Sequence, residues 1–470
     1  MKEQVHHLIK TSITSMSSKP HILIFPYPAQ GHLLPLLDLT HHLALKSITI
    51  TIIITPKNLP TLNNLLSTHP TAINTLTLPF PSHPNIPPGA ENIRDIGNTG
   101  NYPFINALSK LQNPIIHWFN SHNNPPVALI SDFFLGWTQQ LATQLGIPRI
   151  GFYSSNAFLT AIMIRCWRDL LPPPPPHAVV QFPGLPGTPS FKREHLPSMF
   201  LRYRELDSES EFVKKSYEAN AESWGCIYNT FRELDGMYLD HLQVQFGHQR
   251  FFAVGPLCSN RVESDPDGRS EVLKWLDQWE EDGSVLYVCF GSQKVLRKEQ
   301  IESLAFGLEH SGTRFIWVLK DGNGSLPNGF EDRVSGRGLI VKGWVPQVAI
   351  LGHRVVGGFL SHCGWNSVLE AMVAGVAILG WPMEADQFVN AKLLVEDIGV
   401  AVRICEGADS VPDPDELGRV IAGLMGGDSL QKRRGKVMRE EAFKVVGKDG
   451  NSSKELDELV KALMQLGVRE

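Results

Sequence analysis

Residues 344–387 read WVPQVAILGHRVVGGFLSHCGWNSVLEAMVAGVAILGWPMEADQ, and this stretch decides how the second half of the chain folds. Its residues 355–361 form an apolar run with the length and composition of a buried strand. The next apolar run, residues 368–374, contains no proline and precedes Gly375, which is typical of a helix that ends at a glycine. A buried strand that leads directly into a helix predicts a parallel α/β sheet.

The turn between this strand and this helix carries polar residues suited to an anion. Asn366 and Ser367 fall at the start of the helix, where free backbone N–H groups and the helix dipole attract negative charge. A second buried strand, residues 376–380, is followed by Asp386 and Gln387 at the start of another helix. A phosphate site flanked by a carboxylate, an indole and an Asp-Gln pair suggests a nucleotide-sugar pocket.

The rest of the chain alternates strands and helices in two series. The first opens with a strand at residues 21–25 and the second with a strand at residues 285–290. Residues 258–269 contain Ser-Asn, Asp-Pro and Asp-Gly pairs without an apolar period, which is typical of a linker. We therefore expect an α/β protein of two Rossmann-like domains that face each other, with ligands in the cleft between them.

Two polar residues stand at predicted carboxyl ends of strands in the first domain. His32 closes the loop after the first strand, and Asp132 follows the strand at residues 127–131. Parallel strands bring both ends to one sheet edge, so Asp132 can accept a ring N–H from His32, fix its tautomer and stabilise the imidazolium. The alternative is structural, in which His32 only begins a helix and Asp132 only caps one.

The chain resembles the plant family 1 (UDP-dependent) glycosyltransferases. Residues 344–387 match the nucleotide-sugar box of that family from its first Trp to its last Gln, and the match extends over nearly the whole chain. His32 within PAQGHLLPLLDL and Asp132 within SDFF match the catalytic His and Asp of the family. The resemblance implies the GT-B fold, in which two Rossmann-like domains face each other across a cleft.

The alternation of strands and helices, together with the resemblance, divides the chain into five expected parts. They are a disordered tail (1–20), an acceptor-binding domain (21–255), a linker (256–270), a UDP-sugar-binding domain (271–450) and a C-terminal helix (451–470). The resemblance implies that this last helix returns to the first domain.

The resemblance also assigns roles on the donor side. Trp344 matches the platform on which uracil stacks, although a core tryptophan is the plainer interpretation. Val345 would offer backbone groups to uracil, and Gln347 would lie near the ribose. Glu370 can accept hydrogen bonds from the two ribose hydroxyls. The expected pyrophosphate contacts are His362, Asn366, Ser367 and, after the strand VLYVCF, Ser292. Helix-start amides and a His can hold a diphosphate without a divalent cation, so neither a metal nor a cofactor is expected.

The residues that match the sugar-reading positions are Trp365, Asp386 and Gln387, and Ser154 in GFYSSNAF aligns near the 6-hydroxyl of the sugar. Asp386 has a second interpretation as the N-cap of the helix that begins at Gln387. In this family the final Gln accompanies glucose, so Gln387 favours UDP-glucose. UDP-xylose, UDP-arabinose and UDP-rhamnose stay open as alternatives.

The acceptor pocket is expected from aromatic residues of the first domain. Phe133, Phe134 and Phe152 are its predicted walls, together with the proline-rich and aromatic region 172–210. A surface loop that only tolerates insertion is the alternative for that region. The apolar composition suggests a flat, hydrophobic acceptor such as a plant phenolic of the flavonoid type.

The bulk composition excludes several classes of partner. A net charge of −5 gives no electrostatic case for nucleic acid. No segment reaches the ~20 apolar residues of a membrane span, and the first nineteen residues do not read as a signal peptide. The six cysteines are scattered without a CxxC pair, which favours the reducing cytoplasm over a disulfide framework or a zinc site. A monomer is expected.

Together with these observations, the resemblance implies an inverting UDP-glucose transferase that acts on a small phenolic and yields a β-glucoside. A nicotinamide-dependent oxidoreductase uses similar sheets, but no GxGxxG follows either opening strand. A non-catalytic module that only keeps the donor pocket is a second rival, against which His32 and Asp132 argue.

Overall fold

The computed structural model describes residues 19–260, 271–320 and 324–467, whose main elements are two parallel sheets. The strands of the first half are β1 (His21–Phe25), β2 (Thr49–Ile54), β3 (Ile73–Thr77), β4 (Ala128–Asp132), β5 (Arg149–Tyr153), β6 (Val179–Gln181), β7 (Ser190–Lys192), β8 (Gly225–Tyr228) and β9 (Phe251–Ala253). The strands of the second half are β10 (Val285–Cys289), β11 (Arg314–Leu319), β12 (Gly338–Lys342), β13 (Val356–Ser361), β14 (Ala377–Gly380) and β15 (Ala401–Arg403).

The first sheet has the strand order β3-β2-β1-β4-β5-β8-β9, and the second has the order β12-β11-β10-β13-β14-β15. In both sheets the chain first runs outward from the opening strand and then returns to its other side. That reversal places a topological switch point beside β1 and beside β10, where loops at the carboxyl ends diverge and ligands bind. The prediction of two Rossmann-like domains is confirmed.

Helices connect the strands and cover the sheets. In the first half they are α1 (Gln30–Leu45), α2 (Asn63–Thr68), α3 (Asn101–Ser109), α4 (Gln112–Ser121), α5 (Thr138–Leu145), α6 (Ala157–Asp169), α7 (Ser198–Leu201), α8 (Ser208–Ala219) and α9 (Arg232–Phe246). In the second half they are α10 (Glu271–Leu276), α11 (Lys298–His310), α12 (Phe330–Val334), α13 (Gln347–Leu351), α14 (Trp365–Ala374), α15 (Gln387–Lys392), α16 (Pro414–Met425), α17 (Leu430–Val446) and α18 (Asn451–Gly467).

The opening strand is buried on both faces. All five residues of β1 are buried, with Leu23 and Phe25 in one apolar cluster and Ile22 and Ile24 in another. A continuous apolar run is what a central parallel strand covered by helices requires. Its pairing with β4, in which Phe25 lies opposite Ser131, brings the loops after both strands to the same edge.

The last helix packs on the first sheet, although it follows the second domain in sequence. Leu459, Val460 and Leu463 of α18 are buried in the same cluster as Ile22 and Ile24. Glu455 of α18 accepts a hydrogen bond of 2.6 Å from Nε of Arg232. The chain therefore links its two domains twice, once at the linker and once through this helix.

The proline-rich region 172–210 lies between the domains. It contains the antiparallel pair β6–β7 and the short helix α7. His195 stacks on Phe388 of the second domain with ring centroids 4.2 Å apart, and Lys392 lies 5.5 Å over the ring of Phe191. This excursion is therefore part of the contact between the domains.

Parts of two expected segments lie outside the described residues, namely residues 1–18 of the tail and 261–270 of the linker. Of the linker, Leu257–Asn260 forms a short 3-10 turn. Within the described ranges, no helix is long and apolar enough to cross a membrane.

Candidate active site

A cavity of about 620 Å³ lies between the two domains and is lined by both. Its walls include the loops that follow the carboxyl ends of β1, β4, β5, β10, β12, β13 and β14. Each of these loops brings residues singled out in the sequence to one space. Those that line it are His32, Phe133, Phe134, Ser154, Ser292, Trp344, Val345, Gln347, His362, Trp365, Asn366, Ser367, Glu370, Asp386 and Gln387.

His32 and Asp132 are in direct contact at one end of the cavity. Nδ1 of His32 lies 2.9 Å from Oδ2 of Asp132, whose other oxygen accepts the backbone N–H of Phe134 at 2.9 Å. An ionised carboxylate can only accept, so Nδ1 carries the hydrogen and Nε2 keeps a free lone pair. Asp132 is fully buried, and His32 borders the cavity. This is the geometry of a general base with its orienting carboxylate.

Aromatic rings fix the orientation of His32. Its ring centroid lies 4.4 Å from that of Phe134, 5.5 Å from that of Phe133 and 5.3 Å from that of Tyr27. The hydroxyl of Tyr27 donates to Oδ1 of Asn101 at 2.7 Å. Phe133 and Phe134 therefore hold the imidazole and form the apolar wall beside it.

Phe152 does not line the cavity, and its assignment to the acceptor pocket was wrong. Side chains alternate between the faces of a strand, so Phe152 shares the far face of β5 with Ile150. Both are fully buried in the cluster that contains Ile22 and Ile24. Tyr153, on the near face, stacks on Phe133 with centroids 5.3 Å apart.

On the donor side, α14 begins at Trp365 directly after β13. Asn366 and Ser367 lie in its first turn, and no side chain caps that helix start. The free N–H groups at this end therefore face the cavity as an anion site. Nδ2 of Asn366 donates to the backbone oxygen of Gly31 at 2.9 Å, which ties the helix start to the loop that carries His32.

His362 is packed tightly behind this helix start. A Cβ at Gly291 or Gly364 would come within 2.8 Å or 2.6 Å of the imidazole, so a side chain at either position would displace the ring, and the φ of +75° at Gly291 also favours glycine. Burial lowers the pKa of His362 to about 4. Nδ1 of His362 is buried and has no hydrogen-bond partner among the described residues. His362 therefore lines the cavity as a neutral imidazole with one nitrogen still available for a hydrogen bond.

Glu370 and Gln347 form a connected pair further along the cavity. Nε2 of Gln347 donates to Oε2 of Glu370 at 2.6 Å and to Oγ of Ser367 at 3.1 Å. Tyr287, which the sequence did not single out, donates to Oε1 of Gln347 at 3.2 Å. These contacts hold the Glu370 carboxylate where a pair of ligand hydroxyls can reach it. Trp344 also lines the cavity and is 64% exposed.

The Asp386 side chain does not cap its helix, so the capping interpretation of this residue is not what the structure shows. Its Oδ2 instead accepts from Nδ2 of Asn390 at 2.6 Å. Burial raises the pKa of Asp386, while the Asn390 hydrogen bond and the nearby His32 oppose that rise. Asp386 therefore lies within electrostatic reach of the imidazole from the opposite domain.

Gln387 and Trp365 both hold their surroundings in place. Oε1 of Gln387 accepts from the backbone N–H groups of Met383 and Glu384 at 2.9 Å and 3.0 Å, which leaves its amide hydrogens for a ligand. Nε1 of Trp365 donates across the cleft to the backbone oxygen of Asn229 at 2.7 Å.

The cavity also contains residues that sequence reasoning missed. They are Ile93, Arg94, Asn98, Asn101, Leu159, Met163, Tyr217 and Lys320. They come from loops and helices without a motif, and only the closure of the chain brings them here. Of the described residues, no group of three or more His, Cys, Asp or Glu side chains is arranged to hold a metal ion.

Comparisons with known proteins agree with this geometry. A family model described as UDP-glucoronosyl and UDP-glucosyl transferase matches residues 259–413. UDP-glycosyltransferase 89A2 of Arabidopsis thaliana is 51% identical, over 95% of this chain and 96% of its own length. The flavonol 3-O-glucosyltransferase UGT89B1 of the same plant is 45% identical, over 96% of this chain and 98% of its own.

Solved structures extend the comparison to three dimensions. Arabidopsis thaliana UGT89C1, crystallised with UDP-L-rhamnose, has a TM-score of 0.81 at 36% identity and covers 96% of this chain and 100% of its own. The same protein crystallised with quercetin has a TM-score of 0.79. From these likenesses and the box at residues 344–387, the chain belongs to the plant family 1 UDP-glycosyltransferases, enzymes of the GT-B fold.

Proposed function

We propose that this enzyme transfers glucose from UDP-glucose to a hydroxyl of a small plant phenolic, of the flavonoid type, with inversion to a β-glucoside. The observation that carries the proposal is the placement of the His32–Asp132 pair and the Asp386–Gln387 pair on opposite walls of one cavity. A base on one wall and sugar-binding groups on the other suit direct transfer between two bound substrates.

In the proposed mechanism, Nε2 of His32 takes the proton from the acceptor hydroxyl. Asp132 holds the imidazole in the required tautomer and stabilises its positive charge. The acceptor oxygen then forms a bond to the anomeric carbon from the face opposite UDP, while the bond from that carbon to the diphosphate oxygen breaks. An α-linked donor therefore gives a β-linked product and UDP.

The donor would lie along the second domain. Trp344 and Val345 would hold uracil. Glu370 would accept hydrogen bonds from the ribose hydroxyls, and Gln347 lies behind it. The first turn of α14, His362 and Ser292 would hold the diphosphate and stabilise the charge that develops as UDP leaves. We propose that these groups suffice without a metal ion, and activity that survives EDTA is the expected result.

The sugar would contact Trp365, Asp386, Gln387 and Ser154. Gln387 with two free amide hydrogens and Asp386 with free lone pairs suit the hydroxyls of glucose. The name of UGT89B1 as a glucosyltransferase supports glucose, while the UDP-L-rhamnose complex of UGT89C1 makes UDP-rhamnose the second candidate. UDP-xylose and UDP-arabinose follow as further alternatives.

A flat phenolic acceptor fits the wall formed by Phe133 and Phe134, since aromatic faces stack on such rings. The flavonol name of UGT89B1 and the quercetin complex of UGT89C1 support the same class. The cytoplasm is the proposed location, because all six cysteines are in the reduced thiol form that a reducing compartment maintains.

The test is incubation of the purified enzyme with radiolabelled UDP-glucose, alone and with a panel of flavonols and simpler phenols. Parallel incubations contain UDP-L-rhamnose, UDP-xylose or UDP-arabinose. The proposal expects a labelled glucoside whose anomeric proton coupling is that of a β-linkage. Transfer only from another UDP-sugar would contradict UDP-glucose as the donor and identify that sugar instead. Transfer to none of the phenols would contradict the proposed acceptor class.

A further inference from the structure

A chain of three polar side chains, two buried asparagines and the half-buried Asp386, crosses from the first domain to the sugar end of the cavity. Asn156 precedes α6 in the first domain, and Asn390 lies in α15 of the second. Nδ2 of Asn156 donates to Oδ1 of Asn390 at 2.8 Å, and Nδ2 of Asn390 donates to Oδ2 of Asp386 at 2.6 Å. Both asparagines are 0% exposed, so water does not compete for these contacts.

The direction of this hydrogen-bond chain is fixed by the backbone at its first member. Oδ1 of Asn156 accepts the N–H of Leu159 at 2.7 Å as the N-cap of α6, so its amide hydrogens must point away from that helix. Asn390 then has to present its oxygen to Asn156 and its nitrogen to Asp386. The Asn390 amide meets both demands, because its oxygen accepts while its nitrogen donates.

Asn390 also braces the turn before α14. Its Nδ2 donates to the backbone oxygen of Cys363 at 2.9 Å, and Cys363 has a φ of +63°, in the left-handed region. That turn has a second support, because the N–H of Cys363 donates to Oγ of Ser361 at 3.1 Å. Loss of Asn390 is therefore expected to disturb the Asp386 carboxylate more than the phosphate-binding helix start.

We propose that Asn390 is a positioning residue that orients the Asp386 carboxylate toward the donor sugar, and that Asn156 makes this orientation depend on contact between the two domains. The inference rests on the proposed function, in which Asp386 binds the sugar. It adds that the first domain, besides carrying the base, helps to set the sugar-binding group of the second.

The test compares the affinities for UDP-glucose and for UDP, which lacks the sugar. Asn390→Leu keeps the size of the side chain and removes its polar atoms. Its affinity for UDP-glucose is expected to fall about tenfold more than its affinity for UDP, because one half-buried hydrogen bond to a carboxylate is lost. If Asn390 had only a structural role, its loss would lower the affinities for UDP-glucose and for UDP equally, and that result would overturn the proposal.

Asn156→Asp is the second variant, and it does not touch Asn390 itself. Aspartate still caps α6, but it can only accept, so it should reverse the amide of Asn390 and turn that oxygen toward Asp386. The expected loss of UDP-glucose affinity resembles that of Asn390→Leu, and the double variant should be no weaker than Asn390→Leu alone. Wild-type affinity in Asn156→Asp would overturn the coupling between the domains.

Asn58→Leu is the matched control. Asn58 is 3% exposed and accepts from Nδ2 of Asn92 at 2.7 Å, so the change breaks a buried asparagine pair within the first domain. It should lower the melting temperature without changing the ratio of the two affinities. If the wild-type enzyme transfers a different sugar, the proposed donor fails, and the same ratio measured with that UDP-sugar still decides the role of Asn390.

Discussion

Nδ1 of His32 and Oδ2 of Asp132 lie 2.9 Å apart although a hundred residues separate them in sequence. The contact arises because β1 and β4 are parallel neighbours whose carboxyl ends share one edge. Asp132 is held in turn by the N–H of Phe134, so its second oxygen is already oriented toward the imidazole.

Asp132→Asn is expected to reduce kcat about 10²- to 10⁴-fold, because a neutral amide does not stabilise the imidazolium that forms when His32 takes the proton. The affinity for UDP-glucose should stay near the wild-type value, since Asp132 lies on the acceptor side. Steady-state kinetics combined with calorimetric titration measures both. A variant that turns over at the wild-type rate would remove Asp132 from the mechanism.

The pKa of His362 predicts proton uptake when the donor binds. Burial holds that pKa at about 4, below its ordinary value of 6.5, so the imidazole is neutral in the free enzyme at pH 5.5. A bound diphosphate would raise the pKa, so the complex holds more protons than its parts, and affinity for UDP-glucose should increase as pH falls from 7 toward 5. Titration in two buffers of different ionisation enthalpy gives the number of protons taken up.

His362→Gln is the control for this effect, because glutamine keeps a hydrogen-bond donor that does not titrate. Proton uptake should disappear in the variant. The same shift affects stability in the free enzyme: a lowered folded-state pKa means that stability is lost as pH falls from 6.5 toward 4. An uptake that is equal in both proteins would assign the proton to another group.

Phe133 and Phe152 should respond in opposite ways to substitution by leucine. Phe133→Leu is expected to raise KM for a flavonol about threefold to tenfold, because a stacking face in the cavity is lost. Phe152→Leu should leave that KM unchanged and lower the free energy of unfolding by about 1–2 kcal/mol, since Phe152 lies in the core. Kinetics and chemical denaturation of both variants test the placement of Phe152 in the core, and a raised KM in Phe152→Leu would contradict it.

Ser154 is expected to help distinguish hexose from pentose donors. It is 7% exposed and lines the cavity, and its proposed contact is the 6-hydroxyl of glucose, which xylose lacks. Ser154→Ala should therefore reduce kcat/KM for UDP-glucose about fivefold and leave the value for UDP-xylose nearly unchanged. An equal change for both donors would place Ser154 away from that hydroxyl.

The parts of this site that the sequence predicts are those fixed by strand topology. The alternation of strands and helices places His32, Asp132 and the start of α14 at sheet edges, which the structure reproduces. The prediction for Phe152 neglected the two-residue period of β5, which places Tyr153 and not Phe152 on the face that packs against Phe133.

Contacts between the domains had no local signal in the sequence. The hydrogen bond from Trp365 to Asn229 and the one from Asn156 to Asn390 depend on how the two domains pack against each other. Within the second domain, the hydrogen bond from Tyr287 to Gln347 also had no signal in the sequence, because Tyr287 reads as an ordinary residue of β10.

The measurement that tests the central claim most directly is a comparison of His32→Ala with the wild-type enzyme. We predict that kcat for glucoside formation falls at least about 100-fold, because the acceptor hydroxyl loses its base. The dissociation constant for UDP-glucose, measured on the same preparations, should change by no more than about twofold, since most of the proposed donor contacts lie in the opposite domain. A fall of equal size in turnover and in donor affinity would contradict the account, and so would a variant that retains wild-type turnover.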